Sequence, residues 1–435
     1  MKKSFFQWID YLVLITFLLL IRLPAAFGLQ YDIRVRLLFL LPIIFVIWRR
    51  LVVFLTSRNP ITFDAHKYYL LYVIYILLVT VAFARTILNE SVDTSRALGN
   101  LFLLILGQAF IFGLSSQSKR PGEDLKKGIY LSLLVYISAN LLMEVLNFSA
   151  RNDIFATPHL SSLASYLGLE AYRTTFPTAT GINSFGIVAG VLLVSSFLVM
   201  REKRFNPLLR ASGGVGILTS LITLVFTDSR AASIFALLAI ACSYIPYKFS
   251  RLLRYIPIVS VILPLLILGT LQRLSPSAIQ VLSRNQSDAL TLSNRTVIWE
   301  VAFDTLRESP ENLLFGYGYR GQIVSGAMEK YEYLFGGYVG VFSIPLHNSF
   351  LQAVFEIGLV GTILFVLNLI TLFVLLDRER QLQNSPWATV LYFTLLFLSL
   401  ISSTDSVLSF DNQESYIIFM FIATVSFFSL AKEKN

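Results

Sequence analysis

The residues of this chain that could do chemistry are a histidine and a few arginines beside apolar segments. His347 comes two residues after Pro345, which disfavours helix before it, so a helix is predicted to begin near residue 347. The positive end of that helix favours a neutral imidazole, which can accept a proton as a general base. The alternative is a histidine that only caps the helix or lies at the membrane interface.

Three arginines are candidate ligands for an anion. Arg230 lies in a short connection between two apolar segments, Arg295 begins a predicted amphipathic helix, and Arg173 lies in another polar loop. Guanidinium groups bind phosphate through paired, charge-assisted hydrogen bonds. The alternatives are an Arg230 that extends to the membrane surface or pairs with Asp228, and an Arg295 that is merely solvated.

A glycine- and tyrosine-rich stretch follows the predicted helix. Tyr317 and Tyr319 offer flat faces to a sugar ring, and Arg320 and Asn348 are further candidate contacts for a sugar or an acceptor. A turn with tyrosines at the membrane interface is an equally good interpretation. Glu356 lies about 13 Å along the helix from His347, too far for direct contact.

The composition is that of a polytopic α-helical membrane protein. Of the 435 residues, 55% are hydrophobic and 14% are charged, and the mean hydropathy is +0.69. Soluble domains carry about 25% charged residues. Several apolar runs approach or exceed the roughly 20 residues that a membrane helix needs.

About twelve membrane spans are predicted, within one membrane domain over residues 1–435. A long loop at 272–346 separates spans nine and ten and carries the short amphipathic helix, and residues 208–376 form the core region. Lys and Arg are concentrated on the loops that share a side with the N-terminus, which predicts cytoplasmic termini and an outer 272–346 loop. The predicted spans are Trp8–Phe27, Val35–Leu55, Tyr68–Leu88, Ala97–Leu114, Gly128–Phe148, Gly181–Met200, Leu208–Phe226, Ala231–Phe249, Leu252–Leu271, His347–Leu376, Trp387–Ile401 and Gln413–Leu430.

The rare residue types argue against several kinds of site. The single cysteine, Cys242, cannot form an internal disulfide, and the three histidines lack the spacing of zinc ligands. No metal or cofactor is therefore predicted. The net charge of +9 reflects the cytoplasmic basic loops, so membrane lipids are the expected partner and nucleic acid is not.

Three motifs taken together resemble the O-antigen ligase and O-antigen polymerase superfamily. The first is Ser-Arg-Ala-Ala at 229–232, and the second is Asn-Arg at 294–295 leading into a Trp-containing helix with Phe-Gly-Tyr-Gly at 315–318. The third is His-Asn-Ser-Phe-Leu-Gln at 347–352, followed by Glu-Ile-Gly-Leu-Val-Gly at 356–361. The resemblance covers about residues 208–376. The family usually has a glycine where this chain has Asn294.

The resemblance implies a membrane-embedded GT-C-type glycosyltransferase of the bacterial inner membrane, with its active site on the outer face. It would move a glycan from a polyprenyl-pyrophosphate carrier to a hydroxyl of a glycan or glycolipid, without a metal and with inversion. Arg230, Arg295 and Arg173 would bind the pyrophosphate, and His347 would take the acceptor proton. Ligase and polymerase both stay open. A transporter or flippase for lipid-linked glycans is the alternative, although no repeat symmetry is evident.

Overall fold

The computed structural model describes nine stretches of the chain, and in them almost every ordered element is a helix. Within those stretches the one extended pairing is an antiparallel bridge between Leu160 and Tyr172. The described residues are 5–28, 33–56, 68–89, 94–116, 121–148, 159–271, 294–336, 344–410 and 412–429.

Sixteen α-helices lie in the described residues, and each of the twelve predicted spans overlaps one of them. They are α1 (Phe5–Ala26), α2 (Ile33–Thr56), α3 (Tyr69–Leu88), α4 (Thr94–Ser116), α5 (Pro121–Val145), α6 (Ser162–Tyr166), α7 (Ile182–Arg201), α8 (Pro207–Thr227), α9 (Arg230–Cys242), α10 (Tyr247–Ser250), α11 (Ile256–Leu271), α12 (Arg295–Glu308), α13 (Gly321–Val324), α14 (Ser349–Leu382), α15 (Pro386–Ile401) and α16 (Gln413–Ser429).

The helices confirm a multi-pass membrane protein but not the number of crossings. Seven described helices are long and apolar enough to span a bilayer, and three more, α9, α15 and α16, are apolar but shorter. The count of twelve spans and the GT-C likeness stay predictions. The core of the bundle is built from α7, α15 and α16, whose residues are almost all buried.

The eighth predicted span ends earlier than expected. Helix α9 stops at Cys242 instead of continuing to Phe249. Pro246 lacks an amide hydrogen and disfavours helical backbone at the residue before it, so the chain turns there. The short α10 and a 3-10 turn at Arg251–Tyr255 then lead into α11.

Helix α14 is broken inside its predicted span. Gly358 has φ 70° and ψ −176°, a conformation that only glycine adopts readily. The backbone groups freed by the break bond to a neighbouring turn: Leu359 N–H donates to Leu313 O at 2.8 Å, and the carbonyl of Phe355 accepts from Tyr317 N–H at 2.6 Å. Non-helical backbone inside a membrane bundle needs such buried partners, and this turn supplies them.

The amphipathic helix is present almost where the sequence predicts it, as α12. Asn294 precedes it with φ 67°, a left-handed conformation that glycine takes freely and asparagine tolerates. Its apolar face, with Ile298 and Trp299, packs into a small protein core with Tyr331 and Leu346.

A buried polar layer crosses the bundle at the end where α14 begins. Glu414 accepts hydrogen bonds from Thr180 N–H at 2.8 Å and Tyr136 Oη–H at 3.2 Å, and it lies 3.5 Å from Arg22 Nε. Arg22 Nη1 also donates to Gln413 Oε1 at 3.2 Å. These bonds tie α1, α5 and α16 to the loop before α7, and they hold that end of the bundle together. We call this end of the bundle the His347 end.

Candidate active site

A buried carboxylate joins the predicted base to one of the predicted anion ligands. Asp405 lies in the connection between α15 and α16 and is 8% exposed. Its Oδ1 is 3.4 Å from His347 Nδ1, and its Oδ2 is 3.4 Å from Arg295 Nη2. Three segments that are distant in sequence therefore meet at one side chain.

The contact with Asp405 assigns the two nitrogens of the His347 ring. Nδ1 carries the hydrogen that is donated to the carboxylate, so Nε2 is left with a lone pair that can accept a proton. The ring of Phe335 lies roughly parallel to the imidazole, with centroids 6.3 Å apart. The side chain of His347 is 14% exposed, so it keeps limited access to solvent.

The backbone at His347 is held in an unusual conformation by its neighbours. His347 has φ 49°, in the left-handed region that costs a non-glycine residue about 1–2 kcal/mol. The preceding residue, Leu346, is bonded on both sides: its N–H donates to Gln352 Oε1 at 3.1 Å, and its carbonyl accepts from Trp299 Nε1–H at 2.9 Å. Trp299 lies one turn after Arg295 on α12, so the helix that carries the arginine also fixes the histidine.

The start of α14 is tied to the connection that carries Asp405. Asn348 caps the helix, because its Oδ1 accepts from Leu351 N–H at 2.8 Å, and its Nδ2 donates to Ser403 O at 2.8 Å. Ser349 Oγ–H donates to the main-chain carbonyl of Asp405 at 2.9 Å. Helix α14 therefore begins two residues later than the predicted span, and Asn348 has a structural role beside its candidate contact with an acceptor.

The surroundings of Asp405 keep its carboxyl group ionised. Burial alone would raise its pKa. The hydrogen bond from His347, the charges of His347 and Arg295, and the N–H of Ser406 at 3.0 Å outweigh burial and hold the pKa of Asp405 below its ordinary value of 3.8. A charged carboxylate at this position stabilises the imidazolium that forms when His347 takes a proton.

The other two predicted anion ligands lie together beside the end of α8. Arg173 Nε donates to Thr227 O at 3.4 Å and Nη2 to Asn183 Oδ1 at 3.4 Å, and Arg230 follows three residues after Thr227. The alternative pairing of Arg230 with Asp228 is not formed, because Asp228 accepts from Leu163 N–H at 3.1 Å instead. In the described part of the chain, no carboxylate lies within 4 Å of the guanidinium of Arg230.

Tyr317, Tyr319 and Arg320 are buried. The ring of Tyr319 stacks on Phe83 with centroids 4.0 Å apart, and its hydroxyl accepts from Asn100 Nδ2 at 2.7 Å and Arg320 Nε at 3.1 Å. Tyr317 packs against Phe355 in the small core beneath α12. Contact of these rings with a sugar stays a prediction, and it requires the rings to become uncovered.

Asp405 is the residue that sequence reasoning missed. A polar run, Ser-Ser-Thr-Asp-Ser at 402–406, interrupts two strongly apolar helices, which was the available signal. The run carries no recognisable spacing to His347, because 58 residues separate the two positions. Only the folded pairing of α14 with α15 brings them together.

The segment that contains most of the candidate site residues is similar to known proteins. A sequence model described as "O-Antigen ligase" matches residues 215–366, close to the predicted core of 208–376. The exopolysaccharide production protein ExoQ of Rhizobium meliloti (strain 1021) is 34% identical over 107 residues, which is 23% of this chain and 23% of that protein. The aligned region thus spans about a quarter of the relative's length.

The double role of Asn348 can be separated from ordinary helix capping. Asn348→Ala removes a cap and a buried bond to Ser403, so we expect it to destabilise the protein by about 2–3 kcal/mol. Asn206 also caps a helix, with its Oδ1 accepting from Leu209 N–H at 2.8 Å, but it is exposed. Asn206→Ala should cost only about 1 kcal/mol. Thermal unfolding of both variants in detergent measures the difference, and equal losses would show that the bond to Ser403 contributes nothing.

Proposed function

We propose, from the match of residues 215–366 to the O-antigen ligase family and the partial similarity to ExoQ, that this chain belongs to the O-antigen ligase and O-antigen polymerase superfamily and is a glycosyltransferase of surface polysaccharide assembly. It transfers a glycan from a polyprenyl-pyrophosphate carrier to an acceptor hydroxyl of a glycan or glycolipid. The reaction takes place at the outer face of the bacterial cytoplasmic membrane, with both termini of the chain on the inner side.

The observation that carries this proposal is the contact of one buried carboxylate with both His347 and Arg295. An acceptor hydroxyl attacks the anomeric carbon while its proton passes to His347 Nε2, and Asp405 stabilises the resulting imidazolium. A correctly oriented general base contributes typically 10²–10⁴-fold to a rate. Attack from the side opposite the leaving group inverts the anomeric centre.

The arginines serve the other half of the reaction. As the bond between the anomeric carbon and the pyrophosphate oxygen breaks, its electron pair stays on the pyrophosphate. Guanidinium groups fixed beside that oxygen stabilise the growing negative charge. Arg230 is available for this role because it has no carboxylate partner in the described residues, while Arg173 is oriented by Asn183. Arg295 retains N–H donors beyond the one that faces Asp405.

Metal-independent chemistry is part of the proposal. Among the described residues, no three His, Cys, Asp or Glu side chains gather into a group that could hold a metal ion. The charged residues proposed for the reaction lie at the His347 end of the bundle. The charged residues of a transporter are instead expected along a path through the membrane.

An assay with purified protein tests the function. With a polyprenyl-pyrophosphate-linked glycan, a suitable acceptor and EDTA, the protein should release polyprenyl pyrophosphate and lengthen the acceptor. His347→Ala should fold normally and lose at least about 10²-fold in turnover, because the base is missing. A ladder of products identifies a polymerase, and a single transfer to core lipid identifies a ligase. Strict dependence on a divalent metal, or normal turnover by the variant, would refute the mechanism.

The role of Arg295 can be tested against a second arginine of the same helix. Arg295→Ala should reduce kcat/KM for the donor by about 10²–10³-fold, as expected when a group that stabilises leaving charge is removed. Arg307 on α12 forms an exposed pair with Asp304, and its side chain is 80% exposed. Arg307→Ala should leave donor kinetics unchanged, since such pairs contribute little. Equal effects of the two substitutions would remove Arg295 from the site.

The depressed pKa of Asp405 makes a prediction about pH. Because Asp405 stays ionised at every pH above its ordinary value of 3.8, it does not titrate in the working range. The dependence of kcat/KM on pH should therefore show no step from Asp405 above pH 3.8. The stability that ionised Asp405 contributes should persist above 3.8 and disappear as pH falls through its folded pKa.

Two substitutions complete this pH experiment. Asp405→Asn should lower kcat strongly at all pH values, while Asp304→Asn, at an exposed carboxylate on α12, should not. Initial rates and thermal unfolding from about pH 3 to pH 8 measure both effects. A step in the rate of the parent protein above pH 3.8 that is absent in Asp405→Asn would contradict the assignment.

A further inference from the structure

A second group of arginines lies at the end of the bundle opposite the His347 end, and the proposed reaction does not use these arginines. The Cζ atoms of Arg251 and Arg380 lie 5.1 and 5.2 Å from the ring centroid of Tyr247, so both guanidiniums share one aromatic ring. Arg254 lies on the same 3-10 turn as Arg251, with its guanidinium over Tyr255 at 4.9 Å. We call Arg251, Arg254 and Arg380 the arginine cluster.

The arginine cluster has an excess of positive charge. One carboxylate faces it among the described residues: Asp377, whose Oδ1 is 3.6 Å from Arg380 and whose Oδ2 is 3.8 Å from Arg251. The next acid on α14, Glu379, is paired with the buried Lys126. The three guanidiniums repel one another, and the single carboxylate offsets only part of that repulsion. A bound anion would relieve the rest.

The cluster also contains a buried donor that lacks a partner. In the described residues, Arg254 Nε is shielded from solvent and makes no hydrogen bond, whereas Arg380 Nη1 faces Asp377 Oδ1 at 3.6 Å, beyond hydrogen-bond distance. Buried polar atoms of this kind are rare in folded proteins, and each calls for an explanation such as a missing ion. Phosphate oxygens are well suited to guanidinium donors, because the bonds are charge-assisted and paired.

The surface beside the cluster indicates where that phosphate comes from. Large apolar and aromatic side chains are exposed along the same short segment, on both sides of the basic residues. A soluble anion needs no apolar neighbours, whereas the headgroup of a membrane lipid brings acyl chains with it. The exposed side chains are Tyr244, Phe249, Leu252, Tyr255 and Ile258.

We propose that the arginine cluster binds the phosphate headgroup of an anionic phospholipid, whose acyl chains lie along the exposed side chains of Leu252 and Ile258. The site lies at the far end of α14 from His347. The part of α14 after the break, from Leu359 to Arg380, is about 33 Å long, so the lipid is well outside the candidate active site.

The test is a comparison of lipid retention by purified protein in a mild detergent. Native mass spectrometry counts the phosphatidylglycerol or phosphatidylcholine molecules that remain bound. We expect phosphatidylglycerol to be retained at least tenfold more strongly than phosphatidylcholine. The double variant Arg251→Gln, Arg254→Gln should lose that preference, and Arg254→Lys, which keeps the charge but not the fork of donors, should retain only part of it.

A matched control and a competitor make the outcome decisive. Arg210 is another exposed arginine at the same end, bonded to Met200 O at 3.1 Å, and Arg210→Gln should keep the preference. Thermal unfolding confirms that each variant is folded. Equal retention of the two lipids, or an equal loss in the Arg210 variant, would overturn the proposal. Displacement of the lipid by millimolar inorganic phosphate alone would also overturn it, because the site would then take a soluble anion.

Discussion

The ion pairs of Asp405 are the interaction on which the candidate active site depends. A carboxylate that is 8% exposed must be compensated, and here His347 and Arg295 compensate it from opposite sides. His347 lies just before the start of α14, and Arg295 is the first residue of α12, so the two partners come from the starts of different helices. Removing the carboxylate would leave Arg295 and the Nδ1–H of His347 without this acceptor, and it would weaken the attachment of both helices to the connection after α15.

Much of the architecture could be predicted from the sequence, because apolar runs of membrane length specify helices directly. The start of α12 and the position of His347 before α14 also followed from local signals, an Asn-Arg pair and a proline. What the sequence did not reveal depends on tertiary pairing. Asp405 is one example, and the break at Gly358 is another, since the bonds that permit it come from residues 313–318.

The aromatic residues show why residue type alone was a poor guide to the site. Tyr317 and Tyr319 were attractive as sugar platforms, yet both lie in packed surroundings with their hydroxyls bonded inside the protein. Trp299, which received no role from its type, donates to the carbonyl of Leu346 beside His347. Both tyrosines and Trp299 therefore hold neighbouring elements of the bundle together.

The joint between the turn at 313–318 and the broken helix is made by main-chain atoms. Side chains at Leu313 and Leu314 can therefore be exchanged during evolution without loss of those bonds, whereas a Cβ atom at Gly316 or Gly358 would collide with the facing backbone. Alanine at either of these glycines would disturb the joint through the backbone itself, whereas alanine at Leu313 or Leu314 would keep its main-chain bonds. Sequence drift in the turn is consequently a poor measure of how strongly its shape is constrained.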